Sequence, residues 1–171
     1  LKKNHESRAT VCRYDECPRF SRCEMIPAQG MLFASSKAHA LFVTDTVSED
    51  EADLRMPAVN PAGRLLREAM IAHVLTQKKI PFLITKLFRA YIGDKQPRSF
   101  ESKLCFSHFL KEVKQNQPKL VVALGIGVFN ALYTQAINKM DLPSKEEHKI
   151  SKMRGTFFDF HFEDGVKVKV L

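Results

Sequence analysis

No apolar run in this chain approaches the roughly 18 residues that a membrane-spanning helix needs, so no membrane partner is expected. The first ten residues, Leu1 to Thr10, are polar and charged and lack the pattern of a secretory leader. An intracellular setting is expected, whether cytoplasm, nucleoid or, for a viral protein, the host cell. Internal repeats and low-complexity segments are absent, and no two cysteines stand in a Cys-x-x-Cys pair. Acidic residues gather in one compact run only, Glu49 to Asp53. The sequence opens on Leu1 rather than Met and reads as a piece of something longer.

What is present suits one globular domain: 171 residues, 44% of them hydrophobic. The net charge is +8, with basic clusters at Lys78–Lys79, from Lys86 to Lys119 and from Lys145 to Arg154. Such a surface attracts polyanions through phosphate contacts and counterion release, which makes DNA the expected partner. The plainer alternative is a solvated basic surface.

Residues 1–38 read as an irregular segment that carries three of the four cysteines, and residues 39–171 as an α/β domain. Ala40–Val43 is a short buried strand, Thr44 to Val59 a polar loop. Asn60 and Pro61 suit an N-cap and a first helical position. Ala62, Leu65, Leu66, Met70, Ile71 and Val74 then recur at helical spacing. Ile80–Phe88 and Leu120–Leu124 are further strands, and Phe100–Val113 and Val128–Ile137 further helices, with Gly125 and Gly127 in the turn before the last. Thr156–Phe162 and Val166–Leu171 close the chain as a hairpin around Glu163-Asp164-Gly165. The aromatics of Thr156–Phe162 are expected in the core rather than on a stacking platform. Strands alternating with helices predict a mostly parallel, four-stranded central sheet flanked by helices in three layers, with ligands at the carboxyl ends of the strands.

Cys12, Cys17 and Cys23 lie close together, and Cys105 stands on a predicted helix. Four thiols without a secretory leader suit an iron–sulfur cluster or tetrahedral zinc. Four buried core thiols are the alternative.

Several stretches resemble the iron–sulfur, family 4 type of uracil-DNA glycosylase. Leu41-Phe42-Val43, the acidic Glu49-Asp50-Glu51, and Pro57, Ala62, Gly63, Leu65 and Leu66 fall in gapless register with that family's first motif region. Pro118 to Gly125 is similar to its PKVIVALG strand, Phe129-Asn130-Ala131-Leu132 to the helix that follows, and Arg154-Gly155-Thr156 to the triplet before its last hairpin. Cys17-Pro18 is similar to its cluster motif. The resemblance implies a 4Fe–4S cluster on Cys12, Cys17, Cys23 and Cys105, with zinc as alternative, although the family's first and third cysteines align with Tyr14 and near Phe88.

The departures bear on function. Asp45 aligns with the family's catalytic glutamate, but Thr44-Asp45-Thr46-Val47-Ser48 lacks the glycines and proline of GEAPG. Ala58 stands where the family stacks a phenylalanine on the extruded base, and Lys86 where it reads the base with asparagine. Losing both contacts costs about 2–6 kcal/mol of recognition if the terms add. No histidine matches the family's second catalytic motif, which would begin near Leu171. The resemblance therefore implies a non-catalytic DNA-binding or scaffolding module of a replication or repair assembly, associated with a polymerase. Its phosphate contacts are expected at Gly125 and Gly127, where amides open a helix, with Lys86, Arg89 and Arg154 nearby. The alternatives are an active glycosylase using Asp45 as its carboxylate, and a pure protein-interaction domain.

Overall fold

A computed structural model of the chain describes residues 28–31, 37–73, 80–91, 93 and 99–171. Six strands form one sheet: β1 (Gln29–Met31), β2 (Ala40–Thr44), β3 (Phe82–Lys86), β4 (Leu120–Ala123), β5 (Phe158–His161) and β6 (Lys167–Val170). Their order is β1-β3-β2-β4-β6-β5. The inner four strands are parallel. β1 and β5 add antiparallel edges. The expected parallel four-strand centre is there, with an edge strand on each side.

The helices are α1 (Glu49–Leu54), α2 (Pro61–His73), α3 (Ser99–Asn116), α4 (Ile126–Gln135) and α5 (Ile150–Met153). Alternate residues of a strand point to opposite faces, and here they feed two cores. Leu41, Val43 and Leu83 join Phe109 of α3 and Val128, Phe129 and Leu132 of α4 on one face. Ala40, Phe82 and Ile84 join Met70 of α2 on the other. Helices on both faces make the three layers.

Five readings need correction. β1 lies within the segment taken as irregular; its pairing with β3 supplies what its three residues lack in pattern. α1 interrupts the 44–59 loop, started by a capping box in which Glu51 accepts from both the Ser48 amide and hydroxyl. Leu65, one of the apolar residues at helical spacing, is 69% exposed, because α2 lies on the sheet along Gly63, Leu66 and Met70 instead. Gly127 sits inside the first turn of α4, and Gly125 caps it. The aromatics of the 156–162 segment divide: Phe160 and Phe162 are fully buried, whereas Phe157 is exposed. Val74, Lys78, Lys79, Cys12, Cys17 and Cys23 lie outside the described residues.

Candidate functional site at the carboxyl ends of the strands

The sheet delivers three chain segments to one edge. After β2 comes Asp45, after β3 Leu87 and Phe88, after β4 Leu124 and Gly125. Backbone bonds hold them in step: Leu87 N–H to Thr44 O at 2.8 Å, Phe88 N–H to Asp45 O at 3.1 Å, and Leu124 N–H to Val43 O at 2.9 Å. A cavity of about 590 Å³ opens beside them, between α3 and α4. That volume is within the range of small-molecule sites. Asp45 lies on its wall with the rings of Phe88, Phe106 and Tyr133, the amide of Asn130, and the cations Lys139 and Lys145.

Asp45 is half-buried, and burial raises its pKa above the usual 3.8, with the nearby charge of Lys86 opposing. Gly127 makes room for it: a Cβ there would lie 2.7 Å from Asp45 Oδ2. A carboxyl whose folded pKa is raised binds its proton more tightly folded than unfolded. Its ionised form therefore weakens the fold at neutral pH, and that penalty disappears once pH falls below 3.8. Asp45→Asn is thus expected to resist urea better than wild type at pH 7 and equally at pH 3. A lower midpoint at pH 7 would show that Asp45 is held by favourable contacts instead.

His148 completes the cavity, and no spacing in the sequence pointed to it. It comes from the charged connection after α4, where short 3₁₀ turns at Lys139–Asp141 and Lys145–Glu147 carry the chain back over that helix. Its Nδ1 is 2.6 Å from Asn130 Oδ1 and its Nε2 3.2 Å from the Pro143 carbonyl. The ring stands edge-on to Phe129 and Tyr133.

The two residues expected in the base-reading pocket, Ala58 and Lys86, do not line this cavity. They belong to a buried polar knot next to Asp45. Glu51 is fully buried at its centre. One oxygen accepts the Ala58 amide at 2.6 Å, and the other takes the Lys86 ammonium at 2.7 Å together with both Ser48 donors. Lys86 also donates to Thr46 O at 2.8 Å. Burial lowers the pKa of Lys86, while the bond and charge of Glu51, then the charge of Asp45, raise it. Ala58 is 1% exposed with a left-handed backbone, φ 57°. Its carbonyl accepts from Arg67 Nε at 3.0 Å. Neither residue presents a face to a ligand.

The residues expected at phosphates are split. Gly125 and Arg154 share a second cavity of about 190 Å³ at the end of β4, with Ile126, Ile150 and Gly155. Gly125 takes φ 107°, which glycine alone adopts readily, and no atom lies within 4 Å of where its Cβ would be. Gly127 backs onto Asp45 instead. Arg89 is 4% exposed, ion-paired with Glu112, and donates to Thr85 Oγ1 at 3.0 Å. Its guanidinium is therefore turned inward and is not a surface group. Lys86, held in its knot, is not one either.

The Arg89 charge has a second effect. His108 on α3 is pushed down to about 4, first by burial and then by the charges of Arg89 and Lys111. A lowered histidine is neutral when folded while the unfolded chain takes up the proton. Stability is expected to fall as pH drops from about 6.5 towards 4. His108→Gln should flatten that limb of the urea midpoint against pH; an unchanged limb would assign the loss to other groups.

Cys105 of α3 is buried in a small cluster with Phe88 and Ala90. Among the described residues no group of three or more His, Cys, Asp or Glu gathers to hold a metal. The other three cysteines lie outside those residues. No helix among the described residues is long and apolar enough to cross a membrane.

No family model matches the chain. Over 164 residues it is 24% identical to the type-4 uracil-DNA glycosylase of Saccharolobus solfataricus, an overlap covering 91% of this chain and 70% of that protein. That distant similarity, running through the strands that build the site, joins the three-layer α/β architecture in making this a uracil-DNA-glycosylase-like domain.

Proposed function

We propose that the domain binds DNA without excising a base, as a scaffolding module of a replication or repair protein associated with a polymerase. The buried Glu51–Lys86 pair carries this reading. It takes out of reach the residue where the related family reads the base, and Ala58 beside it offers no ring to stack on. An extruded base must recover its unstacking cost inside a pocket, and these two positions no longer contribute. DNA then meets the exposed basic surface, with Arg154 and the open start of α4 at Gly125 as phosphate contacts. The test pairs two measurements on one preparation. Affinity for a labelled oligonucleotide is expected to fall steeply between about 50 and 200 mM salt, while uracil-containing single- and double-stranded oligonucleotides stay intact. Absence of binding at low salt overturns the reading.

One observation favours a second reading, an active glycosylase. Asp45 has a raised pKa and lines a cavity large enough for a nucleotide, and such carboxyls are candidates for acid–base work. Uracil release that Asp45→Ala abolishes would establish it.

We assign the four cysteines, Cys12, Cys17, Cys23 and Cys105, to one iron–sulfur centre, with zinc as the alternative. Support comes from the similarity to a type-4 enzyme and from the thiol count. Iron content and visible absorbance of an anaerobic preparation test it, with a separate zinc assay; a preparation lacking both metals refutes it.

A further inference from the structure

The segment from Lys149 to Phe157 mixes cations with exposed apolar side chains, an aromatic ring among them. α5 supplies Ile150, more than half exposed, between Lys149 and Lys152, both exposed. A turn follows, closed by the Thr156 amide to Met153 O at 3.2 Å, with Gly155 at φ 76°. That turn puts Arg154 at the surface and Phe157 just beyond it, 56% exposed. Every other phenylalanine from Phe158 to Phe162 makes ring contacts in the core. No acidic residue lies between His148 and Phe158, and the next, Asp159, is paired with Lys169.

We propose that this turn is a contact for single-stranded DNA, in which Phe157 stacks on an exposed base while Lys149, Lys152 and Arg154 neutralise the flanking phosphates. The proposal rests on the DNA-binding reading above and adds strandedness to it. Cations alternating with an exposed aromatic ring are the recurring composition of single-strand grooves, because every base offers a π face once it is unstacked. In a duplex the same faces are covered, so only the phosphate part of the contact remains. The positive charge of the segment disfavours a basic protein partner.

The test uses the full chain and fluorescence anisotropy with a labelled oligo(dT) and a duplex of equal length. Wild type is expected to prefer the single strand. Phe157→Ala is expected to weaken single-strand binding roughly 5- to 100-fold while leaving duplex binding within about twofold, and Phe157→Tyr to restore it. Arg154→Ala is expected to lower both affinities and the salt slope together. Because Phe157 is exposed, its variants should keep the wild-type urea midpoint, which separates lost binding from lost folding. Equal single-strand affinity for Phe157→Ala and wild type overturns the proposal and leaves the DNA-binding reading standing. Failure of wild type to bind either oligonucleotide overturns both. Self-association that Phe157→Ala abolishes, without DNA binding, would assign the surface to a second copy of the chain.

Discussion

Glu51→Ala is expected to destabilise the protein by about 3–5 kcal/mol, the cost of removing one partner from a buried ion pair. The substitution strands the Lys86 ammonium where it is 3% exposed and takes the acceptor from the Ala58 amide and both Ser48 donors. Against a total stability of about 5–15 kcal/mol, that approaches unfolding, and the thermal midpoint should drop by about 10 °C or more. Neutral residues in both positions, as in Glu51→Leu with Lys86→Met, should recover much of the loss, since an apolar pair often replaces a buried ionic one without penalty. A single variant costing less than about 1 kcal/mol would place the pair in water. The same experiment bears on function, because the knot ties α1 to the end of β3 beside Asp45.

Gly63→Ala is the second large effect, and its sign is the opposite of what helix propensity predicts. In an exposed helix interior the change gains up to about 1 kcal/mol. Here the new Cβ would lie 2.3 Å from Ala58 Cα and 2.4 Å from Ala58 C. Both are backbone atoms that cannot swing aside. α2 must lift away, straining the Arg67 bonds to the Ala58 and Pro57 carbonyls. A loss of about 3 kcal/mol is expected, at the upper end of ordinary overpacking. Gly127→Ala is the control: its Cβ meets only the Asp45 carboxylate, which can rotate, so stability should stay within about 1 kcal/mol of wild type. Urea denaturation of the two variants side by side checks the contrast, and equal losses would refute it.

The strands that carry the site were legible because central parallel strands with helices on both faces carry unbroken apolar runs, as in Leu41–Val43 and Leu120–Ala123. Asn60 and Pro61 marked the start of α2 correctly, and Asn60 Oδ1 accepts the Gly63 amide at 2.8 Å. α1 was not legible. Its Leu54 is 58% exposed, so no apolar stripe marks it, and a capping box and an inward carboxylate hold it instead. The basic residues misled for a related reason. A lysine or arginine reads as surface until its partner is known, and the acids that draw Lys86 and Arg89 inward, Glu51 and Glu112, stand far away in sequence. Asp45 was picked out by resemblance, and the structure places it on a cavity wall. Its companions Asn130 and His148 meet only through the fold, with no spacing rule to connect them.

The place of β6 in the sheet also sets when this domain can assemble. β6 is an interior strand, wedged between β4 and β5, although it follows both of them in the sequence. Until residues 167–170 emerge, β4 keeps an open ladder edge, and β5 has no neighbour to pair with. Nascent chains halted before that point would carry an unpaired strand border that favours aggregation. Synthesis rate and chaperone supply, rather than final stability alone, would then govern how much native protein a cell recovers.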